Sequence, residues 1–404
     1  MSEVSRNKMN WKIMIPVMLF AIFQSAFMAF SSVLADIVKV FPDASPTLVQ
    51  MILTVPSAMT IPVSIIVGLL ASYITKKNLV LFSLVCELIG GLLPLLAHKS
   101  IGALIASSAF IGVGQGFLIS IATAILAEHF DGNTRGWAMG LKQAASSVGI
   151  AGLTVLTGFL AASVWYNAYF VYLIVIPIAV LVVFLLPRGH KDVKLVGKGV
   201  GLRGIRRVFT PSMIYTNILL FFLGTFNFAF YTNIGLSITS KGLGDASAIG
   251  LATAWNSLLT IVIGIGFGII LRLFKKFTLA SCMIISAIAY FVLAGAPNLS
   301  LIVVGGILYG IGAGIQMPGT VYYITESVDP EASTLAIGIS MVMVSLGITL
   351  SPVIVNAFAG RIDGTSGLTV AAIAYAVMFV IEVIREAAFN KKSRIGLSEQ
   401  APAK

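Results

Sequence analysis

Long apolar runs separated by short polar breaks occupy most of the 404-residue chain. A helix needs about 20 apolar residues to cross the ~30 Å hydrocarbon core of a bilayer, and twelve runs have about that length. They lack the alternation of polar and apolar residues that marks β-barrel strands, so each run predicts a transmembrane helix. The predicted spans are Trp11–Val40, Pro46–Tyr73, Leu79–Ala97, Ile101–Ala127, Gly136–Ala162, Trp165–Pro187, Met213–Ile238, Ala248–Leu271, Thr278–Ala296, Leu299–Thr325, Ala332–Ala359 and Gly367–Phe389.

One long polar break divides the twelve predicted spans into two sets of six. It covers residues 188–211 and carries seven lysines and arginines against a single acid, Asp192. We therefore predict an all-α integral membrane protein with an N-terminal six-helix bundle (residues 1–187), a basic linker (188–211), a C-terminal six-helix bundle (212–390) and a tail (391–404).

The two predicted bundles repeat each other in sequence. A shift of 198 residues aligns a Gly-x-Gly-x-Gly string in the fourth predicted span with one in the tenth, and Glu128 with Glu326. It also aligns Gly149 with Gly347. Because each half holds an even number of spans, both halves enter the membrane in the same direction, which predicts a pseudo-symmetric parallel repeat with a site near the midplane.

Composition and charge agree with a membrane protein and set its orientation. Hydrophobic residues make up 58% of the chain and charged residues only 10%, which excludes an ordinary soluble domain. If the N-terminus is cytoplasmic, only Lys39, Lys99, Lys241 and Arg361 of 26 basic residues lie outside. The positive-inside rule therefore places both termini in the cytoplasm of a multi-pass cell-membrane protein. The net charge of +11 reflects these membrane-flanking segments, and no nucleic-acid partner is expected.

The sequence offers no recognisable catalytic or cofactor chemistry. His98, His129 and His190 lie in separate loops without metal-ligand spacing, and no Gly-x-x-x-x-Gly-Lys-Ser/Thr nucleotide motif occurs. Cys86 and Cys282 lie inside apolar runs. We expect no enzyme, metal or cofactor, and we expect any transport to draw on a proton or other ion gradient.

One acidic residue falls at the predicted midplane. Glu87 lies ten residues after Lys77, which is about 15 Å into a ~30 Å core. Loss of water favours the neutral form of a carboxyl group there, so Glu87 could bind and release a proton during transport. The alternative interpretation is a permanently protonated glutamate that hydrogen-bonds to a neighbouring helix.

Other charged residues cluster near the cytoplasmic boundary. Lys142 lies about 9 Å inside it and can extend its ammonium group back to water, although an anion-binding role is the alternative. The remaining candidates are lysine–glutamate pairs that could act as gates by forming and breaking, or could be plain surface ion pairs. They are Lys76, Lys77 and Glu128 in the first half, and Lys275, Lys276 and Glu326 in the second.

Uncharged polar residues and aromatic residues supply the candidates for substrate contact. Several share a helix face at a spacing of four or seven residues, and the seventh span is crowded with aromatic residues, which suits an amphipathic or aromatic solute. An interhelical hydrogen bond is the alternative for each. The candidates are Gln24, Met28, Gln115, Asn227, Tyr231, Trp255, Asn256, Gln316 and Tyr323.

Three segments give the chain a resemblance to a known family. They are the loop from Gly68 to Lys77, the string Gly112-Val113-Gly114-Gln115-Gly116, and the segment Arg135 to Ala162. On these segments the chain resembles transporters of the major facilitator superfamily. It departs from the family's patterns at Ser72 in the loop and at Ser108, where an arginine is common. The resemblance implies that spans one, four, seven and ten of the fold line a central cavity.

Together these observations predict a secondary transporter that moves a small organic solute by alternating access. Proton-coupled export of an amphipathic or aromatic compound is the favoured activity. Uptake, uniport or exchange of a small organic anion is the alternative, and a transporter-like sensor or scaffold is a third. We expect the small-molecule substrate and the surrounding lipid to be its partners, and the protein to be a monomer. Drug/proton antiporters of the family that the chain resembles carry a Gly-Pro pair in the fifth span, and this chain has Leu153 and Thr154 there instead.

Overall fold

The computed structural model describes residues 10–71, 73–130, 132–186, 211–326, 333–360 and 363–399. Within these ranges the chain is almost entirely helical and contains no β-strand. Twelve segments are long and apolar enough to cross a membrane, so the predicted all-α fold class is confirmed. Apart from Pro211, the predicted linker lies outside the described residues.

The membrane-crossing segments are numbered here span 1 to span 12. Span 1 joins the α-helix Trp11–Ala21 to the 3-10 helix Ile22–Ser32, and span 6 joins the 3-10 helix Trp165–Ile174 to the α-helix Val175–Leu185. Spans 2 to 5 are the α-helices Pro46–Leu70, Lys76–Ala97, Ile101–His129 and Gly132–Ala161. Spans 7 to 12 are the α-helices Pro211–Ser240, Ala246–Ile265, Thr278–Gly295, Leu299–Glu326, Ser333–Ala359 and Thr365–Glu399. Three shorter helices are Leu34–Val40, Phe267–Phe274 and Lys275–Phe277.

Three helix ends differ from the predicted ones by six residues or more. Span 1 ends at Ser32 rather than at Val40, because Val33 separates it from the short helix Leu34–Val40. Span 8 ends at Ile265 rather than at Leu271, because Gly266 interrupts the helix before it resumes as Phe267–Phe274. Span 12 continues to Glu399, beyond the predicted end at Phe389. The added residues include several lysine, arginine, leucine and glutamate residues, which favour helix even where hydrophobicity no longer does.

The direction of each span fixes which ends lie together. We call the side on which span 1 begins the near side, and the other the far side. Odd-numbered spans run from near to far and even-numbered spans run back, so the loop before span 3 and the loop before span 9 are both near. The sequence predicts that the near side is the cytoplasm.

Glycines allow the helices of each half to pack closely. A Cβ atom on Gly149 of span 5 would collide with the backbone of Ile22 in span 1, at the point where span 1 changes from α-helix to 3-10 helix. Ser25, three residues later, has non-helical backbone angles. The close approach of span 5 therefore coincides with the irregular segment of span 1, as small residues permit in membrane bundles.

Two related contacts join the bundles on the far side. A Cβ on Gly158 of span 5 would lie 2.9 Å from the carbonyl oxygen of Ala246 in span 8. In span 11, Asn356 donates a hydrogen bond of 2.6 Å to Gln50 Oε1 of span 2. Positions 158 and 356 are 198 residues apart, so the internal repeat relates the two contacts. One is a close glycine contact and the other is an amide pair.

Further far-side contacts close the same end. Gln50 Nε2 donates to the carbonyl oxygen of Thr232 at 3.0 Å, and a Cβ on Gly235 would lie 2.9 Å from the Ser31 oxygen. Among the described residues, the hydrogen bonds that join the two bundles all lie in the far half of the spans. The structure therefore represents a conformation that is closed on the far side.

Candidate functional site

Most of the predicted substrate and proton residues lie at the middle of their spans. Glu87 is 11 residues into the 22-residue span 3, and Gln115 is at the centre of the 29-residue span 4. Asn227 and Asn256 occupy the central turns of spans 7 and 8, and Gln24 lies near the centre of span 1. Counting residues from Lys77 predicted a midplane position for Glu87, and Glu87 lies at the middle of span 3.

In the C-terminal bundle, two of the predicted residues bond to each other and to an unpredicted tyrosine. Asn227 Nδ2 donates to Gln316 Oε1 at 3.2 Å, and the hydroxyl of Tyr375 donates to the same oxygen at 3.1 Å. Tyr290 and Tyr309 donate to the backbone carbonyl of Asn227 at 3.1 and 2.6 Å. We call these five residues the tyrosine–amide cluster.

The tyrosine–amide cluster ties spans 7, 9, 10 and 12 together. Tyr290, Tyr309 and Tyr375 are fully or almost fully buried, and the rings of Tyr290 and Tyr375 stack with their centroids 5.7 Å apart. Gln316 Oε1 accepts two hydrogen bonds, from Asn227 and from Tyr375. The cluster therefore resembles a satisfied interhelical network. The three tyrosines escaped the sequence prediction because no charge or regular spacing marks them.

A second pair lies beside this cluster. Asn256 Nδ2 of span 8 donates to the hydroxyl of Tyr231 in span 7 at 3.1 Å. One turn earlier in span 7, the ring of Phe228 stacks with that of Phe27 from span 1, with centroids 6.2 Å apart. Aromatic side chains from both bundles thus meet near the predicted residues Tyr231 and Met28.

The predicted residues of the N-terminal bundle have a different environment. Gln24 and Gln115 are buried, and the Oε1 atom of each has no hydrogen-bond partner among the described residues. In span 4, Gly112 and Gly116 face span 2, while Gly114 faces span 3. The 100° step per residue directs Gln115 between these two faces, toward the bundle interior. In the described part of the chain, the buried Oε1 atoms of Gln24 and Gln115 therefore lack partners, whereas Oε1 of Gln316 accepts hydrogen bonds from Asn227 and Tyr375.

Glu87 is the most isolated ionisable group among the described side chains. It is completely buried, and neither carboxyl oxygen has a hydrogen-bond partner in the described part of the chain. A Cβ on Gly114 would lie 2.5 Å from Glu87 Cγ. The nearby Tyr172 of span 6 is also fully buried, with an unbonded hydroxyl. Because burying an unpaired carboxylate is very costly, this geometry requires a neutral carboxyl group.

The other half of the repeat has a serine at the equivalent place. A Cβ on Gly312, the counterpart of Gly114, would collide with Ser286 Oγ, just as one on Gly114 would collide with Glu87. Ser286 Oγ also lacks a partner among the described residues. The carboxyl group therefore breaks the pseudo-symmetry, and only the N-terminal bundle carries a titratable group at this position.

Near-side lysines bond within the N-terminal bundle. Lys76 Nζ lies 2.7 Å from Glu128 Oε2, joining spans 3 and 4. Lys77 Nζ donates to the Val183 carbonyl at 2.6 Å, and Lys142, which is buried, donates to Thr123 Oγ1 at 3.2 Å. The pairing of Lys76 with Glu128 was predicted, whereas its action as a gate stays a prediction.

The C-terminal bundle has an unpredicted ionic cluster at its near end. Arg385 bonds to Glu382 Oε1 at 2.7 Å and to Glu386. Its guanidinium carbon lies 4.9 Å from the ring centroid of Tyr215 and 4.8 Å from that of Tyr323. The Tyr215 hydroxyl donates to Glu382 Oε2 at 2.6 Å. We call these five residues the Arg385 cluster.

The Arg385 cluster connects spans 7, 10 and 12. Glu382 is 1% exposed, so it belongs to the interior although it is close to Ala387, where the membrane-crossing part of span 12 ends. Of the predicted gate residues in this half, Lys275 is exposed, and the side chains of Lys276 and Glu326 lie outside the described residues. A search for every ionisable residue inside the predicted spans would have included Glu382.

Two predicted substrate residues lie apart from the midplane set. Trp255 is on the same exposed face of span 8 as Leu251, Leu258 and Val262, which is typical of a surface that contacts lipid. Tyr323 packs against Arg385 at the near end of span 10, seven residues beyond Gln316. The structure therefore does not bring these two side chains together with Asn227 and Tyr231.

Comparisons with known proteins agree with the architecture. The fold is similar to that of a bacterial homologue of the human lysosomal transporter Spinster in an inward-facing, unoccupied conformation. The two chains are 14% identical, the match covers 98% of this chain and 100% of the other, and the TM-score is 0.70. It is similar to the nucleoside transporter NupG, with 15% identity, 92% and 99% coverage and a TM-score of 0.70. It is also similar to a POT family transporter in complex with a thioalcohol-conjugated peptide. That comparison gives 13% identity, covers 92% of this chain and 96% of the other, and has a TM-score of 0.69. No curated protein matches in sequence.

A family model supplies the assignment. The model described as Major Facilitator Superfamily matches residues 9–244 and again residues 216–401. The two matches overlap at residues 216–244 and together cover nearly the whole chain. With twelve spans and two six-span halves, the chain belongs to the major facilitator superfamily.

Proposed function

We propose that this protein moves a small organic solute across the cytoplasmic membrane by alternating access, and that it exports an amphipathic or aromatic compound in exchange for protons. Its family and fold are those of secondary transporters, which are not enzymes. The near side is then the cytoplasm, the solute and the proton gradient are its partners, and it acts as a monomer.

The observation that carries the proposal is a difference between the two bundles at the midplane. The carboxyl group of Glu87 in the N-terminal bundle is buried without a hydrogen-bond partner among the described residues, and its counterpart Ser286 has no titratable group. A group without bonding partners can change its protonation without breaking a network, which suits a proton carrier. The buried aromatic cluster of Phe27, Phe228 and Tyr231 suits an apolar or aromatic solute.

The far-side contacts support alternating access. They consist of hydrogen bonds between uncharged groups and of close glycine contacts, such as those of Gln50 and Gly158. None of the described far-side contacts between bundles is a salt bridge. Contacts of this kind can separate at modest cost, because each is worth only about 0.5–1.5 kcal/mol. The far side can therefore open when the near side closes.

One observation favours the alternative of organic-anion transport. Lys142 is buried in the near half of span 5, and its ammonium group makes a single hydrogen bond, to Thr123, among the described residues. A buried ammonium with remaining donors attracts a carboxylate. Under this alternative, the protein takes up or exchanges a small organic anion, and Glu87 has a structural role.

The test is solute flux into liposomes that contain the purified protein, with a panel of aromatic amines, amphipathic neutral compounds and small carboxylates. We expect saturable flux of an aromatic or amphipathic solute, accelerated by an imposed pH gradient. Saturable flux of a carboxylate that is indifferent to pH would overturn the export proposal in favour of the alternative. Solutes that stabilise the protein against heat but do not cross would identify a sensor instead.

A further inference from the structure

A pocket opens on the near side of the C-terminal bundle, away from the midplane. Its volume is about 400 Å³, within the usual range of ~300–1,000 Å³ for small-ligand pockets. Spans 9 and 10 and the short helix Phe267–Phe274 form its walls. The lining residues are Leu271, Lys275, Thr278, Leu279, Gly319, Tyr322 and Tyr323.

The pocket combines one cation with hydroxyl groups and apolar side chains. Lys275 is exposed, and it is a positive group in the wall. Tyr322, which is also exposed, and Tyr323 supply aromatic rings with hydroxyl groups. The acids of the neighbouring Arg385 cluster, Glu382 and Glu386, are both bonded to Arg385. Lys275 is the one charged residue among the described residues that line the pocket, and it makes that wall of the pocket positive and suited to an anion.

The backbone holds Lys275 at this position in an unusual conformation. Its φ is +50°, the only positive φ of a non-glycine residue in the described chain. Its amide donates to the Leu271 carbonyl, and its own carbonyl accepts a hydrogen bond of 2.6 Å from Thr278 Oγ1. Glycine would adopt this φ without strain. A lysine held in a strained turn beside a pocket suggests that the side chain is used there.

The surface around the pocket is apolar. The helix Phe267–Phe274 exposes Ile269 and Leu273, and Ile265 at the end of span 8 is also exposed. Arg272 lies in the last turn of the same helix. Apolar side chains on one face, with basic residues beside them, are typical of a segment at the bilayer interface. A ligand with acyl chains could therefore extend from the pocket along this surface.

We propose that this pocket binds the headgroup of an anionic phospholipid from the near-side leaflet. Lys275 pairs with the lipid phosphate, the rings of Tyr322 and Tyr323 line the headgroup pocket, and the acyl chains lie against Ile269 and Leu273. Basic pockets between membrane helices bind anionic headgroups through the same chemistry. The site adjoins the Arg385 cluster through Tyr323, which belongs to both.

The test titrates the detergent-purified full chain with phosphatidylglycerol or phosphatidylcholine and counts retained lipid by native mass spectrometry. We expect phosphatidylglycerol to bind more tightly. Lys275→Gln should weaken its binding about fivefold, the effect of one basic residue at an anionic lipid, and Lys275→Arg should preserve it. Lys275→Gly should weaken binding equally while relieving the strained turn, which separates charge from backbone effects.

The matched control is Lys99→Gln, which removes a lysine from a far-side loop and should leave binding unchanged. Equal binding of both lipids, or unchanged binding by Lys275→Gln in a folded protein, would overturn the proposal. Displacement of phosphatidylglycerol by millimolar inorganic phosphate would also overturn it, because the site would then bind a soluble anion. No solute flux enters this measurement, so its outcome is independent of the proposed transport activity.

Discussion

Replacing Gly158 by leucine should open the far side and reduce solute flux by more than tenfold. A Cβ at this position would already lie 2.9 Å from the Ala246 carbonyl oxygen in the opposite bundle, and leucine adds three more carbons. Overpacking of this kind costs about 1–3 kcal/mol. A penalty of about 2 kcal/mol on the far-closed state shifts its equilibrium with the far-open state about thirtyfold.

The matched control for this substitution is Gly152→Leu. Gly152 lies on the same helix, and a Cβ there would meet nothing within 4 Å, so leucine should be tolerated. The measurement is the distance between spin labels on Ala162→Cys and Ser300→Cys, two exposed far-side positions in opposite bundles. We expect Gly158→Leu to lengthen this distance. Unchanged distances and flux would show that the contact does not hold the far side closed.

Removing Arg385 should strongly destabilise the C-terminal bundle. Glu382 is 1% exposed, and Arg385 is its bonded cation. Breaking a buried ion pair from one side typically costs about 3–5 kcal/mol, because the remaining charge is left uncompensated. Loss of the contacts between Arg385 and the rings of Tyr215 and Tyr323 adds to this cost. We therefore expect Arg385→Ala to unfold at a clearly lower temperature in detergent.

A double substitution separates lost charge balance from lost packing. Arg385→Gln with Glu382→Gln removes both charges and retains side chains that can hydrogen-bond to Tyr215. Replacing both partners of a buried pair is often close to neutral, so the double variant should recover much of the stability that Arg385→Ala loses. If Arg385→Ala unfolds at the wild-type temperature, the Arg385 cluster does not stabilise the bundle.

The helices could be predicted from sequence because each depends on a local property. Twenty apolar residues are enough to define a span, and a bilayer forces the backbone of each span to form its own hydrogen bonds. Glu87 was placed at the midplane by counting 1.5 Å per residue from Lys77. The break at Gly266 was missed because hydrophobicity continues across it into Phe267–Phe274.

Contacts between distant spans could not be predicted in the same way. The Arg385 cluster joins Tyr215 to Glu382, residues separated by 167 positions, and no periodicity records such a pairing. Glu382 also lies close to Arg385 and Glu386 near the end of the membrane-crossing part of span 12, a pattern typical of a solvated helix end. The tyrosine–amide cluster was only half predicted, since Asn227 and Gln316 are marked by polarity but Tyr290 is not.

The internal repeat illustrates both the strength and the limit of the sequence pattern. A constant shift of 198 correctly relates Gly158 to Asn356 and Gly114 to Gly312. Applied to Glu87, however, it gives Ile285, whereas the structure places Ser286 against Gly312. The offset changes by one residue within span 9, and only the packing of that helix against span 10 reveals the change.

The most direct test of Glu87 as the proton carrier measures internal pH in proteoliposomes under an imposed pH gradient while the transported solute is added. It compares three proteins: wild type, Glu87→Gln and Asp43→Asn. Asp43 is an exposed far-side acid and controls for the loss of a carboxyl group elsewhere. We predict solute-dependent proton movement in wild type and Asp43→Asn, and its loss in a folded Glu87→Gln protein. Equal proton movement in all three proteins, or solute flux without proton movement in wild type, would contradict the assignment of Glu87 as the proton carrier.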